Sequence, residues 1–92
     1  MSYYLTPVDV CERLFGGIEQ VSEVCGLGPK AGYNWRRPSK MREAGDLPSG
    51  RIQRKLLAYA AANNIPLTPE HLIFGADSAR IDQLVEQMRV AA

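Results

Sequence analysis

The stretch GGIEQVSEVCGLGPKAGYNWRR, residues 16–37, carries the features from which we predict the fold. Apolar residues recur at helical spacing from Ile18 to Cys25, which predicts a short amphipathic helix. Gly26 is suited to the positive φ of a tight turn at the end of that helix. A second helix is expected over 29–37, because Gly28 and Pro29 suit a turn followed by a first helical residue and the residue before Pro38 avoids helical geometry. Two short helices joined by a tight glycine turn form a helix-turn-helix.

Three further residues meet the packing demands of such a motif. Ser22 is small enough to lie where the second helix crosses the first, and Leu27 is expected to be an apolar anchor directly after the turn. Trp35 is expected to pack inward near the end of the second helix, so that the arginines after it emerge at the surface. The spacing of these residues is mutually consistent.

The rest of the chain is also predicted to be helical, with a weak strand pattern only at Ser2–Leu5. Pairs of a capping residue and a following proline, at Thr6–Pro7 and Thr68–Pro69, predict two helix starts. Leu72 and Ile73 are expected to be buried in the helix that follows Thr68. Outside the motif, capping residues and regularly spaced apolar residues predict four helices, over 7–15, 50–62, 69–74 and 78–92.

Positive charge is concentrated in the middle of the chain. The whole protein has a net charge of +1, but residues 27–55 hold eight basic and two acidic side chains, a balance of +6. Residues 1–26 have a balance of −3 and residues 56–92 of −2. Such a distribution is typical of a surface that meets a polyanion, most often nucleic acid.

The segment 16–37 resembles the Cro/C1-type helix-turn-helix family, and within it the small YdaS-like phage regulators. Their pattern is A-x-x-x-G-[VL]-S-x-x-x-V-x-x-W. Ser22 matches its small position, Gly26 its turn glycine, Leu27 its hydrophobic anchor and Trp35 its terminal aromatic residue. A looser similarity extends to about residue 75, where LTPEHLIFG is similar to a segment that follows the motif.

The resemblance implies an all-α, lambda-repressor-like bundle of five to six helices that binds double-stranded DNA as a sequence-specific transcriptional regulator. Asn34 then suits adenine and Arg37 suits guanine or phosphate. The sequence does not decide whether Arg51, Arg54 and Lys55 contact the phosphate backbone. The residues expected at the DNA are Lys30, Tyr33, Asn34, Arg36, Arg37, Lys40 and Arg42. Of these, Arg36, Lys40 and Arg42 are expected to contact phosphates rather than bases.

Three features depart from the family pattern. Gly28 and Pro29 replace the serine and polar residue that open the recognition helix. Gly32 replaces a branched apolar residue, which costs about 1 kcal/mol of helical preference relative to alanine. The polar loop 38–46 is longer than the family's turn and adds basic surface. A protein-interaction adaptor that keeps the scaffold without binding DNA is therefore the alternative function.

The C-terminal helix is predicted to carry a dimer interface. Its apolar stripe consists of Ile81, Leu84, Val85 and Met88. Either the stripe closes the domain's own core, or two copies bury it together. Because residues 1–76 resemble a complete DNA-binding domain, we treat 77–92 as an added amphipathic helix and expect a homodimer, with Leu84→Asp giving a folded monomer.

Other functional classes find little support in the residues. Cys11 and Cys25 lack CxxC spacing and are expected to be buried, reduced thiols of a cytoplasmic protein. His71 is expected to be a surface or capping histidine, since the chain offers it no metal-binding or catalytic partner. No phosphate-binding loop or nucleophile–base pair is present, so we expect neither an enzyme nor a cofactor, metal, small-molecule ligand or membrane partner.

Overall fold

The computed structural model describes residues 2–91 as a mostly helical chain with one small sheet. We name the α-helices α1 to α5 and the strands β1 and β2. Along the chain, the elements are β1 (Tyr4–Leu5), α1 (Pro7–Phe15), α2 (Ile18–Val24), a 3₁₀ helix (Ala31–Arg36), α3 (Gly50–Ala62), α4 (Pro69–Phe74), β2 (Ala76–Asp77) and α5 (Ser78–Ala91). Within residues 2–91, no helix combines the length and the apolar character that crossing a membrane requires.

Local capping defines the start and the end of α1, as predicted. The hydroxyl of Thr6 accepts the N–H of Asp9 at 3.2 Å, and Pro7 occupies the first helical position, where its missing N–H costs nothing. Gly16 ends the helix in the left-handed conformation. Asp9 lies in the first turn, where the helix dipole favours a negative charge.

The core is built around α1, which packs against α2, α4 and α5. Val8, Val10 and Cys11 of this helix are completely buried. Leu56 of α3 and Ile81 of α5 are also inaccessible to solvent and belong to the same hydrophobic cluster. The chain therefore has one core that includes residues from both ends of the sequence.

A two-stranded antiparallel sheet ties the N-terminal segment to the start of α5. Tyr4 pairs with Asp77, and Leu5 pairs with Ala76. Beside the sheet, Tyr3 and Ser78 exchange two hydrogen bonds: the N–H of Ser78 donates to the Tyr3 carbonyl at 2.7 Å, and the Tyr3 N–H donates to the Ser78 hydroxyl at 2.9 Å. The weak strand pattern at Ser2–Leu5 is thus a real strand, whose partner the sequence did not reveal.

The helix α4 begins with a reciprocal capping box. The Thr68 hydroxyl accepts the N–H of His71 at 3.2 Å, while Nδ1 of His71 accepts the N–H of Thr68 at 3.1 Å. His71 is therefore a capping histidine, as predicted. The expected burial of Ile73 is wrong: this side chain is 61% exposed and only Leu72 of the pair is buried. A helix this short offers the core a single apolar position per face.

The predicted C-terminal dimer stripe is largely part of the monomer's own core. Ile81 and Leu84 are buried, and Val85 and Met88 are partly buried against the same cluster. The argument that α5 lacks a place to bury its apolar face is wrong, because that face packs on α1 and belongs to the core of residues 1–76. Because Leu84 is buried, we now expect Leu84→Asp to destabilise the monomer rather than to leave it folded, since the substitution would bury an unpaired charge.

We predict that Leu84→Ala destabilises the monomer by about 2–5 kcal/mol, because it removes buried methyl groups and leaves a cavity. Val90→Ala on the same helix is the control, since Val90 is exposed, and it should change stability by less than about 0.5 kcal/mol. Urea unfolding followed by circular dichroism measures both. Equal effects of the two substitutions would contradict the burial of Leu84.

We also predict that the protein becomes less stable as the pH falls through the range in which His71 titrates. Burial lowers the pKa of His71 below its ordinary value of 6.5; Arg80 acts in the same direction and Glu70 opposes it. The unfolded chain then binds the proton more readily, so the stabilisation is fully present above pH 6.5 and is lost as the pH falls through the lower folded-state pKa.

Unfolding free energies of the wild type and of His71→Gln, measured in urea from about pH 7.5 down to about pH 5, test this dependence. Glutamine at this position can still close a capping box but does not titrate. The wild type should lose stability over this range and the variant should lose less. Parallel curves would show that protonation of His71 is not coupled to folding.

Candidate nucleic-acid interface

The turn after α2 is a Schellman motif built on Gly26. Gly26 has φ +77°, which a residue with a side chain rarely adopts. The N–H of Leu27 donates to the Ser22 carbonyl at 3.0 Å, and the N–H of Gly26 donates to the Glu23 carbonyl at 2.9 Å. From α3, the Lys55 ammonium donates to the Cys25 carbonyl at 3.1 Å. The last carbonyls of α2 are therefore satisfied by both local and distant donors.

The element after the turn is a short 3₁₀ helix, not the α-helix that the sequence predicted over 29–37. Gly28 and Pro29 precede it and Gly32 lies within it, and both glycine and proline have poor helical preference. Helical structure begins only at Ala31. At about 2 Å of rise per residue, the 3₁₀ helix spans roughly 12 Å.

A close backbone approach holds the 3₁₀ helix against α2. The N–H of Gly32 donates to the buried Ser22 hydroxyl at 2.8 Å, and that hydroxyl donates to the Ile18 carbonyl at 2.9 Å. A Cβ at Gly32 would lie 2.8 Å from the Ser22 oxygen and 2.9 Å from Cγ1 of Ile18. Ser22 is therefore the small residue at the crossing, as predicted, and glycine suits position 32 because its backbone lies so close to the side chains of Ser22 and Ile18.

Trp35 anchors the other end of the 3₁₀ helix. Its side chain is 6% exposed and belongs to the core cluster, which confirms the prediction that it packs inward. Its carbonyl accepts the N–H of Gly45 at 2.7 Å, and the Gly45 carbonyl accepts the N–H of Val8 at 3.0 Å. The tryptophan thereby links the loop 38–46 to the beginning of α1.

Leu27 does not serve as the predicted apolar anchor. It is 41% exposed, because the helix after the turn begins only at Ala31 and Leu27 lies in the linker before it. Tyr33, in the 3₁₀ helix, is also a large and exposed side chain.

Two of the predicted DNA contacts are engaged within the protein. Arg36 forms a salt bridge with Glu12 of α1, and its guanidinium lies over the Tyr33 ring, 5.4 Å from the ring centre. Arg42 donates to three carbonyls at the end of the 3₁₀ helix: Trp35 at 2.9 Å, Arg37 at 2.8 Å and Asn34 at 3.3 Å. The sequence missed both roles because Glu12 and the carbonyls carry no pattern that marks them as partners.

The interpretation of Arg42 as a phosphate contact from the polar loop 38–46 therefore needs correction. Its guanidinium caps the 3₁₀ helix and is partly buried, and three of its N–H donors are already bonded to backbone carbonyls. Arg36 is likewise held to α1, although its side chain stays 41% exposed. Both arginines therefore hold the 3₁₀ helix and the loop after it in place.

The remaining predicted residues stay at the surface. Lys30, Arg37 and Lys40 are exposed, and within residues 2–91 none of them forms a salt bridge. Asn34 is exposed as well; its backbone carbonyl accepts from Arg42, and its side chain has no hydrogen-bond partner within residues 2–91. On α3, Arg51 and Arg54 are exposed, whereas Lys55 is held by the end of α2.

The two thiols near this site are structural. Cys11 and Cys25 are free and buried. Burial raises the pKa of Cys11 to about 12, and the nearby Cys25 acts in the same direction. Burial also raises the pKa of Cys25, although Lys55 opposes it. Both thiols are thus protonated at neutral pH and are poor nucleophiles.

No protein-family model, curated protein or solved structure matches this chain.

We predict that Gly32→Ala destabilises the protein by about 1–3 kcal/mol, because its Cβ would collide with Ser22 and Ile18 across the crossing. Gly28→Ala is the matched control, since no atom lies within 4 Å of its Cβ position and its φ is not in the left-handed region. The control should be neutral or slightly stabilising. Thermal unfolding of the two variants compares them, and a smaller loss for Gly32→Ala than for Gly28→Ala would exclude the close approach.

Proposed function

We propose that this protein is a double-stranded-DNA-binding transcriptional regulator that uses α2, the Gly26 turn and the 3₁₀ helix as a helix-turn-helix. The observation that carries the proposal is the crossing at Ser22 and Gly32, which holds the 3₁₀ helix between the exposed cations Lys30 and Arg37 in the sequence. The crossing holds the second element against the first by buried contacts at both ends, Gly32 and Trp35. A rigidly held second element is what groove recognition requires.

Electrostatics supports DNA as the partner. Five exposed basic side chains without a salt bridge in the described structure lie between Lys30 and Arg54, on the turn, the loop and the start of α3: Lys30, Arg37, Lys40, Arg51 and Arg54. Each cation that meets a phosphate releases a counterion, so affinity should fall with salt. Residues 1–26 and 56–92 each have a net negative charge, so a polyanion would meet the basic middle segment rather than the rest of the protein.

Base contacts would come from the exposed side of the 3₁₀ helix. Asn34 offers an amide that can pair with N6 and N7 of adenine. Tyr33 directly precedes it, and Lys30 lies just before the 3₁₀ helix. The 3₁₀ helix is only about two turns long, since it has three residues per turn. We therefore expect readout of few base pairs by each protomer, with phosphate contacts supplying most of the affinity.

Two copies on one site would increase that limited readout. Two-fold pairing would place two 3₁₀ helices on successive turns of the major groove. Because Ile81 and Leu84 are buried within the monomer, only the partly exposed Val85 and Met88 of the original stripe are available to such a pairing. Buried reduced thiols at Cys11 and Cys25 suit a cytoplasmic regulator.

The second candidate function is a protein-interaction adaptor. It is favoured by the internal engagement of Arg36 and Arg42 and by the shortness of the 3₁₀ helix. An adaptor would use exposed apolar side chains such as Leu27 and Tyr33 instead of the cations. The two functions differ in how binding responds to salt.

Binding to mixed genomic DNA fragments over a series of salt concentrations tests the regulator against the adaptor. A regulator should bind more weakly as salt rises, with a linear dependence of log K on log salt. Sequencing of the fragments retained at the highest salt would then give the preferred site. No affinity for any fragment at low salt would exclude the regulator.

We predict that Arg37→Ala reduces the magnitude of the salt slope by about one and weakens binding to all sequences alike. Arg89→Ala is the matched control, since Arg89 is an exposed arginine on α5 that is paired with Glu86. Neither substitution should change the melting temperature, because both side chains are at the surface. A slope that both variants share with the wild type would place Arg37 away from the phosphates.

A further inference from the structure

The loop that follows the 3₁₀ helix contains a small, fixed projection that the proposed function has not used. Ser39 and Arg42 form an isolated antiparallel bridge, with the Ser39 N–H donating to the Arg42 carbonyl at 2.8 Å. Lys40 and Met41 are the two residues of the turn between them. We call residues 39–42 the loop tip.

Met41 is the most exposed large apolar side chain among residues 2–91, at 95%. Apolar side chains scattered on a surface are ordinary, but they are seldom so completely free of protein contacts. Met41 therefore adds nothing to the packing of the monomer. Its position on a tight turn presents an unbranched side chain directly to whatever lies against this face.

Hydrogen bonds fix the loop tip to the rest of the protein. Arg42, which closes the bridge, also donates to the carbonyls of Trp35 and Arg37, and Trp35 is buried in the core. Downstream, Asp46 accepts the N–H of Glu43, and Gly45 is bonded to both Trp35 and Val8. The projection is thus held beside the end of the element that would enter the major groove.

The charges around Met41 fit a polyanion. Exposed Lys40 precedes it and exposed Arg37 lies just before the bridge, whereas the guanidinium of Arg42 is turned to the carbonyls of the 3₁₀ helix. The nearest acidic residue, Glu43, comes after the bridge has closed. The turn thus combines two properties: Lys40 and Arg37 attract phosphates, and the methionine can leave water for the stacked bases.

We propose that the loop tip enters the minor groove next to the major groove contacted by the 3₁₀ helix, and that Met41 wedges between two base pairs and bends the duplex. The proposal rests on the proposed DNA-binding function and names the form of DNA it takes. The minor groove is about 6 Å wide, which excludes a helix but admits the side chains of a two-residue turn. Proteins that insert methionine, leucine or isoleucine in this way kink DNA by unstacking one step.

The wedge also compensates for the short 3₁₀ helix. Unstacking is easiest at flexible pyrimidine–purine steps, so the energy of bending depends on sequence even where no base edge is contacted. Specificity would then come from two sources: a few base contacts near Asn34 and the deformability of the step that receives Met41. We expect TA-containing sites to bind more tightly than sites of equal length without such a step.

The test uses the full chain and a duplex of about 30 base pairs, roughly three helical turns. The duplex carries dyes at its two ends, and 2-aminopurine replaces adenine at a central TA step. Wild-type protein should increase both the energy transfer between the dyes, by bending, and the 2-aminopurine fluorescence, by unstacking. A duplex without a pyrimidine–purine step at its centre is the DNA control.

Met41→Ala should abolish both fluorescence changes and weaken binding about tenfold, the effect of losing one buried side chain. Its salt slope should stay that of the wild type, because no phosphate contact is removed. Met41→Leu should restore the changes. Lys40→Ala is the matched control: it should reduce the salt slope by about one and keep the bend. All of these residues are exposed or replaced conservatively, so the melting temperatures should agree.

The outcomes separate the two proposals. Wild-type binding to the duplex without a change in energy transfer or 2-aminopurine fluorescence would overturn the wedge and leave the DNA-binding function standing. Fluorescence changes that persist in Met41→Ala would also overturn it. The absence of any wild-type binding at low salt would overturn the DNA-binding function and the wedge together.

Discussion

The placement of the 3₁₀ helix against α2 depends on the contact between Ser22 and Gly32. The Ser22 hydroxyl is buried, donates to its own helix and accepts a backbone N–H from the segment that crosses it. A buried hydroxyl without a partner would cost about 1–3 kcal/mol, so the contact specifies one crossing geometry among several of similar packing. Gly32 makes the approach possible by lacking a Cβ, and Trp35 completes it by filling the core beyond.

The basic residues of the middle segment divide into two groups with different tasks. Arg36, Arg42 and Lys55 stabilise the protein, through a carboxylate on α1, the end of the 3₁₀ helix and the end of α2 respectively. The exposed cations beside them keep their charge for a partner. Exposed cations are most effective when the backbone that carries them is rigid, because less conformational entropy is lost on binding. The engaged arginines therefore support the proposed DNA contacts without having to make them.

The C-terminal helix shows how a correct pattern can be given the wrong partner. The apolar spacing from Ile81 to Met88 predicts an amphipathic helix, and α5 is one. Whether its apolar face meets another copy or the same chain depends on where the helix lies. The hydrogen bonds between Tyr3 and Ser78 and the pairing of β1 with β2 bring α5 beside α1, where Ile81 and Leu84 complete the core. The small core of a chain this size gains most by burying every apolar face it has.

The amino-acid sequence by itself determined the starts of α1, α3 and α4 and the Gly26 turn, and it limited His71 to a surface or capping role. These features follow from interactions within a few residues, where a hydroxyl, a proline or a positive φ acts on its immediate neighbours. The inward direction of Trp35 was predicted from the spacing of the motif. The 3₁₀ form of the second motif element, the exposure of Leu27 and Ile73, the bonding of Arg36 and Arg42, and the burial of Leu84 were decided only in the tertiary structure. Each of them depends on atoms brought close by folding, such as the Glu12 carboxylate, the Ser22 hydroxyl and the face of α1, and sequence spacing does not encode those distances.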